Sequence, residues 1–115
     1  MVGDYFRSRS EGSIRRGLRL AAAKLKGTHS RLEWEILHDI FGECVNCGTP
    51  YPDLNGGVAT KDHIVPLYCG GCDCIANLQP VCQSCNSSGL GGEDLRASVI
   101  PGWQTIYLHK LGVYF

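Results

Sequence analysis

The chain has 115 residues with eleven basic and eleven acidic side chains, so its formal net charge is zero, and seven residues are cysteines. This length leaves room for one domain, and so small a domain often depends on a staple. An odd number of cysteines, with no apolar leader after Met1, argues against a secreted disulfide framework and favours zinc thiolates in a cytoplasmic protein. The sequence has no run of about 20 apolar residues that would span a membrane.

The basic residues are concentrated near the start of the chain. Up to Arg31 there are eight basic residues against two acidic ones, a net charge of +6, and the remainder carries −6. Such a segment can bind the phosphates of a nucleic acid, although a basic segment also increases solubility. We expect five of these residues to contact DNA: Arg15, Arg16, Arg19, Lys24 and Lys26.

The N-terminal part predicts an arm followed by a helix. Residues 1–12 are polar and without periodicity, which is typical of a mobile arm. Ser13 can cap a helix that ends near Gly27. The apolar residues of this helix recur at helical spacing, at Ile14, Leu18, Ala21, Ala22 and Leu25.

A second helix is predicted before the first cysteine. Ser30 followed by Glu33 forms a capping-box pattern, and Gly42 is expected to end the helix. Its broad apolar face is expected to pack in the core and comprises Leu32, Trp34, Ile36, Leu37, Ile40 and Phe41.

The rest of the chain predicts a hairpin and two further helices. Residues 58–65 resemble a strand that ends at Pro66, and residues 75–81 form a partly apolar return segment. A short helix is expected after Cys82 and is broken at Gly89. A last helix, closed by Gly112, is expected to pack as a lid on the core through Trp103, Ile106, Tyr107 and Leu111. Together these elements indicate an α+β fold.

Two Cys-x-x-Cys pairs predict a metal site. The gap of two residues lets both thiolates of a pair face one ion, and four thiolates leave no open coordination position, which is typical of structural zinc. Free core thiols or a redox pair are the alternative interpretations. We expect one zinc ion per chain, bound by Cys44, Cys47, Cys82 and Cys85.

Three more cysteines lie between these pairs, at Cys69, Cys72 and Cys74. A second metal, or exchange of ligands with the first site, is one interpretation. We favour free loop thiols, because a Cys-x-Cys step fits a closed site of four ligands poorly.

Asp62 and His63 are adjacent at the end of the predicted strand. Their side chains are therefore expected to point to opposite faces and to perform separate functions. A carboxylate is a ligand for a hard divalent cation, and a neutral imidazole can act as a general base. Asn86, which follows Cys85, is a candidate second oxygen ligand that the zinc site would hold in place.

The order of these motifs resembles the HNH endonuclease family, in particular the small free-standing HNH proteins of bacteriophages. The motifs are Cys-x-x-Cys, Asp-His-Ile-Val-Pro-Leu, Gly-Gly and Asn-Leu-Gln-Pro-Val-Cys-x-x-Cys-Asn, within about residues 27–88. The resemblance implies a small ββα-metal core with a structural four-cysteine zinc site, preceded by N-terminal helices and followed by a short C-terminal helix. It also implies a basic arm or helix over residues 1–26 and an HNH nuclease domain over residues 27–115, within a single domain overall.

The resemblance further implies a role for each site residue. His63 would be the general base that activates water, Asp62 a ligand of a catalytic Mg²⁺ or Mn²⁺, and Asn77 the residue that fixes His63 through the hairpin backbone. The family's last histidine corresponds to Asn86, so the chain is an HNN variant. Its amide oxygen favours Mg²⁺ or Mn²⁺ over Ni²⁺ or Zn²⁺.

The implied function is a metal-dependent DNA endonuclease, which hydrolyses phosphodiester bonds by nicking or double-strand cleavage and leaves 5′-phosphate and 3′-hydroxyl ends. Double-stranded DNA is the expected partner, and a second copy of the chain or a phage protein is a further candidate. Many relatives carry a lysine where this chain has Gly89 and Leu90, so Arg96 or the N-terminal arginines are candidates to replace it. The alternative is a catalytically silent zinc module that binds nucleic acid or a protein.

Overall fold

The computed structural model describes residues 11–90 and 92–112. Residues 1–10 of the predicted mobile arm lie outside these ranges. The described helices and strands are α1 Glu11–Leu25, α2 Arg31–Phe41, β1 Thr60–His63, β2 Leu78–Val81, α3 Gln83–Ser88, α4 Arg96–Val99 and α5 Trp103–Leu111. Short 3₁₀ turns occupy Tyr51–Asp53, Asn55–Gly57, Leu67–Cys69 and Ile75–Asn77. None of the described helices is long and apolar enough to cross a membrane.

Helix α1 already includes Ser13, so the prediction that Ser13 caps this helix is wrong. The apolar residues that recur at helical spacing are not buried together, because Leu18 and Leu25 are 61% and 90% exposed, whereas Ala23 is 2% exposed. The physical reason is the small size of the contact. Helix α1 packs against the turn Leu67–Cys69, a single short element.

Helix α2 begins at the predicted capping box. The Ser30 hydroxyl accepts a hydrogen bond from the Glu33 N–H at 3.1 Å, and the Glu33 carboxylate accepts one from the Ser30 N–H at 2.8 Å. Gly42 ends the helix in the left-handed conformation, as predicted. The buried face is narrower than the pattern predicts, since Leu37 is fully buried but Leu32 is 59% exposed.

The two strands form an antiparallel hairpin in which Thr60 lies opposite Val81 and His63 lies opposite Leu78. Strand β1 is shorter than the predicted strand over residues 58–65, because pairing begins only at Thr60. Helix α3 follows β2 directly, as predicted. The order β1, β2, α3 is a ββα unit, and we call the connection between its strands, residues 64–77, the hairpin loop.

The core lies between α2, the hairpin and α5. Its buried members are Leu37, Phe41, Cys44, Val45, Leu78, Val81, Cys82, Trp103 and Tyr107. Helix α5 packs on α2, where the ring centroids of Phe41 and Trp103 are 6.1 Å apart. The prediction that the last helix covers the core is therefore confirmed for Trp103, Tyr107 and Leu111, but it is wrong for Ile106, which is 41% exposed.

Arg96 is also part of this core. It is 6% exposed, its guanidinium lies 4.4 Å from the centre of the Trp103 ring, and it donates two hydrogen bonds of 3.0 Å to the Asp94 carboxylate. These hydrogen bonds hold the pKa of Asp94 below its ordinary value. Arg96 also donates to the Leu78 carbonyl at 3.2 Å. It therefore supports β2 and is not available to replace the family's lysine.

Candidate metal centre and catalytic cavity

The two Cys-x-x-Cys pairs meet in space, and we call Cys44, Cys47, Cys82 and Cys85 the zinc cluster. One pair lies in the loop after α2, and the other lies where β2 passes into α3. The four sulfurs all lie within 4.8 Å of one another, and those of Cys47 and Cys82 are 3.9 Å apart. A tetrahedral zinc site with Zn–S bonds of about 2.3 Å places its sulfurs about 3.8 Å apart. The geometry and the donor atoms of the zinc cluster therefore fit a structural zinc ion.

The two pairs are built in the same way. The backbone N–H of Cys47 points at the sulfur of Cys44 at 3.5 Å, and the N–H of Cys85 points at the sulfur of Cys82 at 3.5 Å. Such donors stabilise negative charge on sulfur. Hydrogen bonds from Thr49 lower the pKa of Cys47 to about 6. This thiol therefore loses its proton readily, as binding of zinc requires.

The pKa of Cys85 shifts in the other direction, to about 12. The hydrogen bond with Asn46 lowers this pKa, but burial and the hydrogen bonds with Cys82 and Cys47 raise it by more. Without a metal, the cluster therefore keeps protons on part of its sulfurs. Binding of zinc must displace these protons, and the affinity for zinc falls as the pH falls.

A cavity of about 460 Å³ lies beside β1. Its charged and polar lining residues include Arg16, Arg19, Lys61, Asp62, His63 and Asn86. Asp62 and His63 both line this cavity at the end of β1, and their side chains make hydrogen bonds with different residues, Gln79 and Asp73. Of the five predicted DNA contacts, Arg16 and Arg19 line the cavity and Arg15, Lys24 and Lys26 do not; Lys26 instead donates to the Gly70 carbonyl at 2.8 Å.

Asp62 is held by the strand opposite. Gln79 is its direct cross-strand partner, and the amide of Gln79 donates to Asp62 Oδ2 at 2.9 Å. Gln79 is fully buried, and its side chain also binds the Glu93 carbonyl and the Leu95 N–H. The amide group of Gln79 thus has all its hydrogen-bond partners and holds Oδ2 of Asp62 in place. The other carboxylate oxygen, Oδ1, remains to bind a metal ion.

Asn86 is tied to β1 through its amide nitrogen. Its Nδ2 donates to the Thr60 hydroxyl at 2.9 Å and to the Lys61 carbonyl at 3.2 Å. The remaining donor atom toward a cation is the amide oxygen. One carboxylate oxygen and one amide oxygen on the same cavity suit a hard cation such as Mg²⁺, which usually binds few protein groups and keeps several waters.

His63 does not pair with its neighbour Asp62 but with Asp73, in the hairpin loop. His63 Nε2 lies 2.8 Å from Asp73 Oδ1, and the two side chains are 20% and 7% exposed. The linker between α1 and α2 contacts Asp73 from the other side. There the Thr28 hydroxyl donates to Asp73 Oδ2 at 3.4 Å, and His29 Nδ1 lies 2.7 Å from the Asp73 carbonyl oxygen.

Asn77 joins the two ends of the hairpin loop. Its side chain accepts a hydrogen bond from the Val65 N–H at 2.8 Å, and it donates to the carbonyls of Val65 at 3.1 Å and Cys72 at 2.8 Å. Gly71 lies beneath this contact, where a Cβ atom would overlap the Val65 carbonyl. The hydrogen bonds of Asn77 therefore fix the backbone directly after His63.

The middle cysteines differ from the prediction. Cys72 and Cys74 are joined by a disulfide, so the expectation of free thiols is wrong for these two residues, while Cys69 is free and exposed. Cys72 and Cys74 flank Asp73 and are brought together by the bend of the hairpin loop. In the described part of the chain, the zinc cluster is the one group of metal-binding side chains of this kind, so the interpretation of a second metal has no support there.

Three residues of the site have no role in the prediction from sequence: Asp73, Gln79 and Lys61. Gln79 does leave a signal, because it is a polar residue inside an apolar return segment. Asp73 leaves none, since its partner lies ten positions away across a loop without periodicity. Lys61 precedes the Asp-His pair, but the sequence does not indicate that it lines the same cavity.

The hairpin, the helix that follows it and the zinc cluster together make up a ββα-metal fold of the zinc-stapled type. Residues 44–88, which contain the hairpin, α3 and the four cysteines, match the sequence model of the family described as HNH endonuclease. No curated protein and no solved structure matches the chain. The match to the family model indicates nuclease activity in general and a nucleic acid as substrate.

Proposed function

We propose that the chain is a metal-dependent DNA endonuclease of the HNN type. The observation that supports this most directly is the composition of one cavity wall. An imidazole, a carboxylate and an amide, on His63, Asp62 and Asn86, line the same cavity as three cations. A general base, a pair of hard-metal ligands and positive charges are the groups that hydrolysis of a phosphodiester requires.

His63 is the proposed general base. It removes a proton from the water that attacks the scissile phosphate, and its partly exposed ring can reach the cavity while one edge is held by Asp73. Asn77 keeps the backbone beyond His63 in place. The expected products carry 5′-phosphate and 3′-hydroxyl ends.

Asp62 and Asn86 are the proposed ligands of the catalytic metal. When bound there, Mg²⁺ or Mn²⁺ would supply positive charge for the scissile phosphate and the leaving 3′ oxygen. Gln79 holds Asp62 in place, and the hydrogen bonds of Asn86 to β1 hold its amide. The zinc cluster contributes by fixing the start of α3, which carries Asn86.

The cations around the cavity are the proposed contacts to the phosphates of double-stranded DNA. Arg16 and Arg19 come from α1, and Lys61 comes from β1 next to the two catalytic groups. They provide positive charge on the cavity wall in a chain that has Ser87, Ser88, Gly89 and Leu90, and no lysine, directly after the Cys-x-x-Cys-Asn segment. Lys61 is further held above the Trp34 ring, 5.6 Å from its centre.

The test is cleavage of supercoiled plasmid with Mg²⁺ or Mn²⁺ by the wild type and by His63→Ala. Loss of a general base is expected to slow cleavage by about 10²- to 10⁴-fold. His109→Ala, which changes an exposed histidine on α5, is the matched control and should cut like the wild type. Equal cleavage by His63→Ala would contradict the mechanism. If neither protein cuts but both bind DNA, the silent zinc module is the better description.

A further inference from the structure

We propose that Asp73 is the positioning residue of the general base, and that it selects the tautomer of His63 in which Nε2 carries the proton and Nδ1 is free to accept one. This inference rests on the proposed function, in which His63 is the base. It adds a direct side-chain partner of His63 to the site, from the hairpin loop.

The contact between the two side chains determines the tautomer. A carboxylate only accepts hydrogen bonds, so the 2.8 Å contact between Asp73 Oδ1 and His63 Nε2 requires the proton to be on Nε2. In a neutral imidazole the other nitrogen then has a lone pair. Because Asp73 is 5% exposed, water competes little for this hydrogen bond.

Asp73 is itself held rigidly enough to act as a support. Its second carboxylate oxygen accepts from Thr28, and its backbone carbonyl accepts from His29 Nδ1 at 2.7 Å. That second contact fixes the tautomer of His29, whose Nε2 is free to accept from Lys61 Nζ at 2.8 Å. The linker before α2 therefore connects Asp73 to β1 on the far side of His63.

The carboxylate of Asp73 is not needed to shape the hairpin loop. On one side of Asp73, the Asn77 side chain binds the Cys72 carbonyl at 2.8 Å, and on the other the Asn77 N–H binds the Cys74 carbonyl at 2.9 Å. The backbone around Asp73 is thus fixed by Asn77. The carboxylate of Asp73 therefore serves to hold the imidazole of His63 and to accept the hydrogen bond from Thr28 in the linker.

The first experiment reads the tautomer and does not depend on activity. Long-range ¹H–¹⁵N correlation spectra of the zinc-loaded protein without Mg²⁺, at a pH where the imidazoles are neutral, distinguish a protonated Nε2 from a protonated Nδ1. We expect His63 in the wild type to be protonated at Nε2, and the two tautomers to mix in Asp73→Ala. A wild-type His63 protonated at Nδ1, or an unchanged tautomer in Asp73→Ala, overturns the proposal.

The second experiment is kinetic. Asp73→Ala should lower kcat about 10- to 100-fold, as is typical when a supporting partner of an active residue is lost, with KM for DNA changed by no more than about twofold. In a His63→Ala background the same change should have no further effect, because Asp73 acts through His63. An equal loss in both backgrounds, or a rise in KM alone, contradicts the proposal.

The matched control is a His–Asp pair on α2 that does not involve Asp73. His38 Nδ1 lies 2.9 Å from Asp39 Oδ1, far from the catalytic groups in the chain and outside the cavity wall. Asp39→Ala should leave the His63 tautomer and kcat unchanged. If His63→Ala itself still cuts DNA, the proposed function fails, while the spectra continue to test the role of Asp73.

Discussion

The two ends of the ββα unit are held by different means. At one end, the zinc cluster takes its ligands from two short motifs, each supported by its own N–H···S contact. At the other end, His63 depends on one carboxylate from the hairpin loop and on a linker that lies further back in the chain. We call the part around the zinc cluster the zinc end and the part around His63 the base end. Under the proposed function, the zinc end stabilises the fold and the base end carries the chemistry.

Removal of zinc should have the largest effect, because the zinc cluster joins the loop after α2 to the start of α3. Structural zinc in small modules contributes about 10–16 kcal/mol of apparent binding free energy near pH 7, which is as large as the whole stability of a typical domain, about 5–15 kcal/mol. A chelator, or Cys44→Ser, is therefore expected to abolish the folded circular dichroism spectrum and the activity. Elemental analysis should give one zinc per chain.

The control for this prediction is Cys69→Ser, which changes an exposed cysteine outside the zinc cluster and should keep both zinc and fold. Acidification should release zinc from the wild type, because protons compete with the metal for the sulfurs. A folded protein without metal would contradict the view that the zinc end carries the fold.

Gly71→Ala should damage the base end and leave the zinc end in place. The new Cβ would overlap the Val65 carbonyl and lie 3.0 Å from the Asn77 amide, so the hairpin loop must shift. We expect a loss of about 1–3 kcal/mol in the free energy of unfolding, together with reduced cleavage and a full zinc content. Thermal unfolding and plasmid cleavage provide the two measurements.

A matched glycine in α1 shows the opposite behaviour. A Cβ on Gly17 meets no atom within 4 Å, and an alanine inside a helix is favoured over glycine by about 1 kcal/mol. Gly17→Ala should therefore stabilise the protein or leave it unchanged. Similar losses from both substitutions would mean that the hairpin loop is not specially constrained.

Arg19→Ala should weaken binding of DNA without changing the fold, because the arginine lines the cavity at the exposed surface of α1. If it contacts one phosphate, the slope of log K against log salt should fall by about one. Binding isotherms between low and moderate salt measure this slope. Lys24→Ala, on the same helix but outside the cavity, should change it less, and an equal change would mean that α1 acts only through its total charge.

The smallest effect is expected from Asp94→Asn. This change weakens the hydrogen bonds that hold Arg96, which in turn donates to the Leu78 carbonyl of β2. Folding lowers the pKa of Asp94 below its unfolded value of 3.8, so the ionised carboxylate stabilises the protein at every pH above 3.8. This stabilisation is lost only when the pH falls through the pKa of the folded state. Because the Asp94 side chain is 48% exposed, the loss should stay below about 1 kcal/mol. It should be constant between pH 5 and 8 in thermal unfolding; a loss that varies over this range would point to another group.

The zinc end could be predicted from the sequence because the residues that define it lie close together in the chain. A two-residue gap defines each cysteine pair, and a three-residue spacing defines the capping box of α2, so neither depends on how distant segments meet. The base end could be predicted only in part. Asp62, His63 and Asn86 are recognisable as residue types, and the structure brings them to one cavity.

The residues that hold the base end were not predictable in the same way. Asp73 reaches His63 because the hairpin loop bends back, and Arg16 reaches the cavity because α1 packs on a turn of that loop. Both facts depend on the tertiary arrangement. The apolar pattern of α1 was misleading for the same reason, since a helix with one narrow contact does not bury the face that its periodicity suggests.

The disulfide between Cys72 and Cys74 gives the chain two opposed redox requirements. Zinc is bound by thiolates, so the zinc cluster needs reduced cysteines, while the pair that flanks Asp73 is oxidised in the same structure. A strong thiol reductant therefore preserves the first set and opens the second, and an oxidant endangers the first set. The redox buffer in which the protein is handled thus sets the state of the segment that carries Asp73.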